Sequence, residues 1–281
     1  MAIKILIDSA SDINKQEAEQ MGISLISMSV SFGSEEFYDG DTLQPSEFYE
    51  KLVETDVFPQ TSQINPFRWE EKFSELTANG DEIIVITMSS KLSGTYHSAM
   101  LASEKFKSVR VIDSLSVAAG ERILCEYAIR LIAEGNTAKQ TVEKLEQAKS
   151  KIKLIAVVNT LEYLKKGGRI SATTAFAGEL LSIKPVLGII DGEVKILGKA
   201  MGSKRSNNLL NTLVAKTGID FSMPLCTLWS GLESTMLDKY VKDSGSIWAS
   251  DIESVPKHII GCTIGTHAGP GAFGVAYFAK N

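Results

Sequence analysis

"EIIVITM" (residues 82–88) runs directly into "SSKLSGTYHSA" (residues 89–99), and the reading of this pair decides the fold. A short apolar run rich in isoleucine and valine reads as a buried strand, the serines and glycine after it as a turn, and "SGTYHSAMLASEKF" as a helix. The same handover occurs on either side. "IKILID" stops at Asp8 and leads to the helical "DINKQEAEQMG", while "VRVIDS" leads to the long apolar "SVAAGERILCEYAIRLIAEG". Strands alternating with helices predict an α/β unit with a mainly parallel sheet flanked by helices. "ISLISMSVSFG" adds a strand, and "PSEFYEKLVET" and "NPFRWEEKFSELTANG" add helices, the second with Asn65 as cap and Pro66 in its first turn.

The pattern changes near residue 150, after the polar-faced helix "NTAKQTVEKLEQAKSKI". "KPVLGIIDGEVKILGKA" is two β-rich runs around Asp191-Gly192, a dipeptide that tolerates the positive φ angles of a two-residue hairpin turn. "SKRSNNLLNTLVAKTG" and "ESTMLDKYVKDSG" read as helices, and "LCTLWSG", "HIIGCTIG" and "GAFGVAYFAK" as strands. The expected organisation is therefore an α/β domain over residues 1–150 and a smaller α+β domain with an antiparallel sheet over residues 151–281.

Composition narrows the function classes. In 281 residues, 34 acidic and 29 basic side chains leave a net charge of −5, which gives no general attraction to nucleic acid. Cys125, Cys226 and Cys262 are far apart in apolar stretches and read as reduced core residues. The apolar start before Asp8 is too short for a secretory leader and no run approaches a membrane span, so a cytoplasmic protein is expected.

Three stretches carry the candidate chemistry. Ser93 precedes a helical turn where its hydroxyl serves either as a cap or, with Gly94 allowing close approach and free N–H groups nearby, as part of an anion site. "PQTSQINP" (residues 59–66) puts Thr61 and Ser62 before another helix, as turn chemistry or as ligand donors in equal measure. "IGTHAGPGAFG" (residues 264–274) reads as a glycine-rich loop between two strands, offering His267 as a donor to a carboxylate or phosphate. Asp8 and Asp113 end strands and are followed by serine, as caps or as acids. The basic turn "EYLKKGGRISA" (residues 162–172), and Lys204 with Arg205, read chiefly as solvated surface. The sequence contains no G-x-S-x-G elbow, no P-loop, no dinucleotide fingerprint after the first strand and no H-E-x-x-H. His97, four residues beyond Ser93, has no motif to orient it as a base. The hydroxyl cluster reads as receptive.

Taken in order, "ILIDSASD", "QTSQ", "SSKLSGTY", "VIDSLS", "LKKGGRIS" and "IGTHAGPGAFG" resemble the DegV family of fatty-acid-binding proteins, and in particular its fatty-acid kinase binding subunits. The resemblance implies a two-domain protein that buries one long-chain fatty acid, needs no cofactor, and leaves the carboxylate near the surface. A separate ATP-dependent fatty-acid kinase would phosphorylate that carboxylate, and the acyl phosphate would feed phospholipid synthesis. It further implies a head-group site of Thr61, Ser62, Ser93, Gly94, Thr95 and His267. Arg169 and Arg205 are implied as contacts for the partner or, transiently, for a membrane. Burying about 15 methylenes contributes on the order of 12 kcal/mol before ordering costs, against about 1.5–3 kcal/mol for a hydrogen bond to a charged group. The tail would supply affinity and the polar groups orientation. Two other readings stay open: a hydrolase or transferase on a small acid or phosphate ester, with Ser93 as nucleophile and His267 or His97 as base, and a regulator that binds a small anion.

Overall fold

A computed structural model describes residues 2–170, 183–245, 247–248 and 254–280. Strands are numbered in chain order. The first sheet is wholly parallel, with β1 (Ile3–Asp8), β2 (Ser24–Ile26), β6 (Glu82–Thr87) and β7 (Val109–Asp113) in the order β2-β1-β6-β7. β6 is buried from Ile83 to Thr87 because helices cover both faces, which is why it reads as an unbroken apolar run and not an alternating one. The chain passes from β1 outward to β2, then returns to β6 and β7 on the other side. This creates a switch point at the C-terminal ends of β1 and β6, the place where open α/β sheets bind ligands.

A second sheet of six strands joins β8 (Ile152–Val157), β9 (Ile183–Ile190), β10 (Glu193–Met201), β11 (Leu225–Trp229), β12 (Lys257–Ile259) and β13 (Phe273–Phe278) in the order β10-β9-β8-β13-β11-β12. Its pairings are antiparallel except for β11 with β12. The expected β9–β10 hairpin is present, with Asp191 and Gly192 at φ 51° and 82°. Helix Ala119–Ala133 packs against β1 and β6 of the parallel sheet and against β8, β11 and β13 of the mixed one. It is buried on several sides, from Ala119 through Cys125 and again at Ala128 and Leu131, so one apolar core draws on both sheets. Helices Gly202–Thr217 and Thr235–Asp243 contribute Leu210, Val214, Leu237 and Tyr240 to a second core.

Two sequence expectations need correction. "ISLISMSVSFG" is not one strand: β2 ends at Ile26, and β3 (Ser29–Phe32) joins a small antiparallel sheet with β4 (Glu35–Tyr38) and β5 (Gln60–Ser62). The break falls at Met28, whose N–H donates to Ser9 Oγ at 3.0 Å and whose carbonyl accepts from Asp39 N–H at 3.0 Å, so neither group is free to extend the first ladder. The second correction concerns the glycine-rich C-terminal stretch, where no hairpin forms. After β12 the chain enters helix Cys262–Ala268, and His267 stands in its last turn. Buried carboxylates remote in sequence satisfy the N–H groups at its start: Gly261 donates to Asp12 at 2.8 Å, and Cys262 and Thr263 donate to the two oxygens of Asp39 at 2.9 Å each. Gly265 is required by packing, since a β-carbon there would press on the Phe48 and Tyr49 rings.

Candidate functional site

A cavity with about 850 Å³ of space free of protein atoms, part of it open to solvent, lies where the switch point meets the mixed sheet. One wall is the inward row of β8, Leu154 and Ala156, continued by Val158; the hairpin adds Leu187, Ile189 and Val194. Met88, just after β6, and Ala118, before the central helix, also line it. Among the described residues, the polar side chains lining it are Thr61, Ser93, Arg169, Thr263 and His267.

Four of these five form one connected group. Thr61 sits on β5, paired with Val30 of β3, so that its side chain and that of Ser62 take opposite faces of the strand. Its hydroxyl lies 3.0 Å from His267 Nε2. The other ring nitrogen, Nδ1, is buried and has no hydrogen-bond partner among the described residues, and it rests against Gly167, where a β-carbon would overlap it. Arg169 stands two residues further on. Its Nε donates to Leu92 O at 3.2 Å and its Nη1 to Gly167 O at 2.6 Å, tying the 167–169 turn to the segment that carries Ser93. Ser93 Oγ accepts from Thr95 N–H at 3.2 Å and lies 2.9 Å from Thr95 Oγ1. When the Thr95 hydroxyl donates, the Ser93 proton is free to turn toward a ligand.

Burial, and secondarily the charge of Arg169, pushes His267 down to about 4. The ring is therefore neutral at pH 7. Burial also lowers Arg169 from its ordinary value, yet a guanidinium remains charged at neutral pH. Arg169 is the lining residue, among those described, that carries a formal charge there. An acid entering the cavity meets neutral donors at Thr61 and Ser93 beside a single cation.

The remaining sequence candidates have other places. Ser62 is exposed and does not line the cavity. Gly94 sits at the N-terminus of helix Thr95–Ser103, where a β-carbon would overlap the Gln63 side chain; its role is to let those two segments close on one another. Thr95 is buried behind Ser93. Arg205 is exposed on helix Gly202–Thr217, away from the cavity lining, whereas Arg169, expected at a docking surface, stands in the cavity. His97 is exposed, its ring edge against Tyr96, and His258 approaches Glu17 at 3.6 Å. Asp8 and Asp113 act as caps: Asp8 accepts from Ala10 and Met88 N–H, and Asp113 from Ser90 and Leu115 N–H. Ser171 and Ala172 of the basic turn lie outside the described residues. Sequence reasoning passed over Thr263 and Ile264. The signal was their spacing with His267 and Ala268, the i, i+3, i+4 pattern of one helix face, disguised by β-branched residues and glycine.

Fold and site together define an α/β protein with a largely apolar cavity whose lining includes a connected hydroxyl–imidazole–guanidinium group. The chain belongs to the DegV family: the model described as "Uncharacterised protein, DegV family" matches residues 2–280. A DegV domain-containing protein of Caldanaerobacter subterraneus subsp. tengcongensis is 33% identical over 283 residues, covering 99% of each chain. Among solved structures, a DegV family protein from Thermus thermophilus described by its fatty acid binding superposes with a TM-score of 0.88 at 28% identity, covering 99% of this chain and 100% of that one. DegV from Bacillus subtilis, described as a fatty acid binding protein, gives a TM-score of 0.83 at 27% identity with full coverage of both.

Proposed function

We propose that this protein binds one long-chain fatty acid with its acyl chain in the cavity and its carboxylate at Thr61, Ser93 and His267, and presents that carboxylate to a separate ATP-dependent fatty-acid kinase. The observation that carries the reading is the make-up of the cavity wall: apolar side chains over most of it and one connected group of polar side chains. An acyl chain gains on the order of 0.8 kcal/mol per buried methylene. Neutral donors next to Arg169 hold an anion without a second charge competing for it. Thr95 acts through Ser93, and exposed Arg205 serves the partner or a membrane surface. The fatty acid binding described for the Thermus thermophilus and Bacillus subtilis relatives supports the ligand class. Among the described residues neither histidine near the site is hydrogen-bonded to the Ser93 hydroxyl, whose partners are the Thr95 groups, and that favours the carrier over the nucleophile reading.

Denaturing extraction of the purified protein, followed by mass spectrometry, is expected to release about one fatty acid per chain. No extractable lipid, combined with no uptake of added oleate or palmitate, refutes the proposal. With the kinase and ATP supplied, Ser93→Ala and His267→Ala are expected to lower acyl phosphate formation more than they lower lipid retention; equal losses refute the presenting role.

A further inference from the structure

Ser89 takes no part in the cavity lining, yet it organises the segment that carries Ser93. Its side chain is fully buried. Its carbonyl accepts from Leu92 N–H at 3.0 Å and Ser93 N–H at 3.2 Å, which folds residues 89–93 into a tight turn. Its N–H donates to Ser116 O at 2.8 Å. Its hydroxyl accepts from Lys91 N–H at 3.2 Å and donates to Gly192 O at 2.7 Å.

That last bond reaches across the molecule. Gly192 is the tip of the β9–β10 hairpin, and the pairing of β9 with β8 reaches no further toward that tip than Gly188, so the outer half of the hairpin, with cavity residues Ile189 and Val194, extends beyond its sheet neighbour. The tip rests on Ser89, Lys91 and Leu115. The backbone carbonyl closes the turn onto Ser93, and the hydroxyl ties that turn, at Lys91 N–H, to the hairpin tip at Gly192.

We infer that Ser89 is a positioning residue for the head-group site: through the 89–93 turn it sets where the Ser93 hydroxyl meets the ligand carboxylate, and through Gly192 it holds the hairpin against that turn. This rests on the fatty-acid reading above.

The test is a double-mutant cycle read with two ligands, palmitic acid and methyl palmitate, the ester lacking the anion that Ser93 would orient. Ser89→Ala is expected to weaken acid binding roughly five- to tenfold and ester binding less than twofold, in the range of one lost hydrogen bond. On a Ser93→Ala background the same change is expected to shift acid binding less than twofold. Equal weakening of both ligands, or full additivity with Ser93→Ala, overturns the inference, since either marks a residue that supports the fold alone. Should Ser89→Ala fold poorly, Ser89→Cys, which fits the site with a weaker donor, carries the same comparison, and its failure to separate acid from ester is equally decisive. If the unaltered protein binds neither ligand, the fatty-acid reading itself fails.

Discussion

Replacing Asp8 with asparagine isolates one buried ionisation. Asp8 is fully buried, and its two oxygens accept from Met88 N–H at 2.8 Å and Ala10 N–H at 2.9 Å. Burial raises its pKa from the ordinary 3.8 to about 7, with the nearby Asp39 adding to the rise and the two N–H groups opposing it. A raised carboxyl pKa means that the fold holds the proton more tightly than the unfolded chain does. Stability from this group is therefore fully present at low pH and is lost as pH climbs from about 4 to about 7. At about 1.4 kcal/mol per pH unit, the loss over that window is about 4 kcal/mol. Asparagine cannot ionise. It keeps one acceptor and sets an amide against the other N–H group, a loss of about 1–3 kcal/mol that does not depend on pH. The Asp8→Asn protein should be the weaker of the two at pH 4 and the stronger at pH 8, a relative swing of about 4 kcal/mol. Urea unfolding followed by tryptophan fluorescence at half-unit steps from pH 4 to pH 8 measures it; acids remote from Asp8 cancel in the difference, while Asp39 and Glu121, which interact with Asp8, share in the swing. Parallel stability curves would show that Asp8 ionises as readily in the fold as outside it, and the reasoning would be wrong.

Three further outcomes can be checked. Gly167→Ala puts a methyl group onto His267 Nδ1; we expect about 1–3 kcal/mol of destabilisation and weaker fatty acid binding, measured by thermal melting and calorimetric titration. Gly265→Ala drives a methyl into Phe48 and Tyr49 and should cost a similar amount, with hydrogen exchange accelerating in helix Cys262–Ala268 before it does in the parallel sheet. His267 is held near 4 against an ordinary 6.5 by burial and then by Arg169, so the unfolded chain binds the proton first: stability should fall by up to about 3 kcal/mol as pH drops from 6.5 to 4. His267→Gln should remove that slope, and an unchanged slope in the variant would assign it to other groups.

The parallel sheet was legible because its signals are local. Asn65 accepts from Arg68 N–H at 3.0 Å ahead of Pro66, and Asp191-Gly192 turns the hairpin, each as read from neighbouring residues alone. Thr61, Ser93 and His267 were also legible as candidates, and the fold brings all three to one cavity. What escaped depends on partners distant in sequence. Helix Cys262–Ala268 is written in residues that favour strands, and it forms because Asp12 and Asp39 wait more than 200 positions away to receive its first N–H groups. Arg169 sits in a basic run that resembles ordinary surface, and its inward turn follows from the carbonyls of Leu92 and Gly167. Ser62 adjoins Thr61 in every local respect; strand alternation separates them.

Helix Ala119–Ala133 works as a shared beam, since both sheets lean on the same rod of side chains. Neither portion of the polypeptide owns the slot, and severing it near residue 150 would leave each fragment with a bare greasy flank and half a container. Under the proposed function, capacity to carry cargo is thereby bound to completed assembly: a chain caught midway through folding would have nowhere to put a lipid, and one that held a lipid would already have finished.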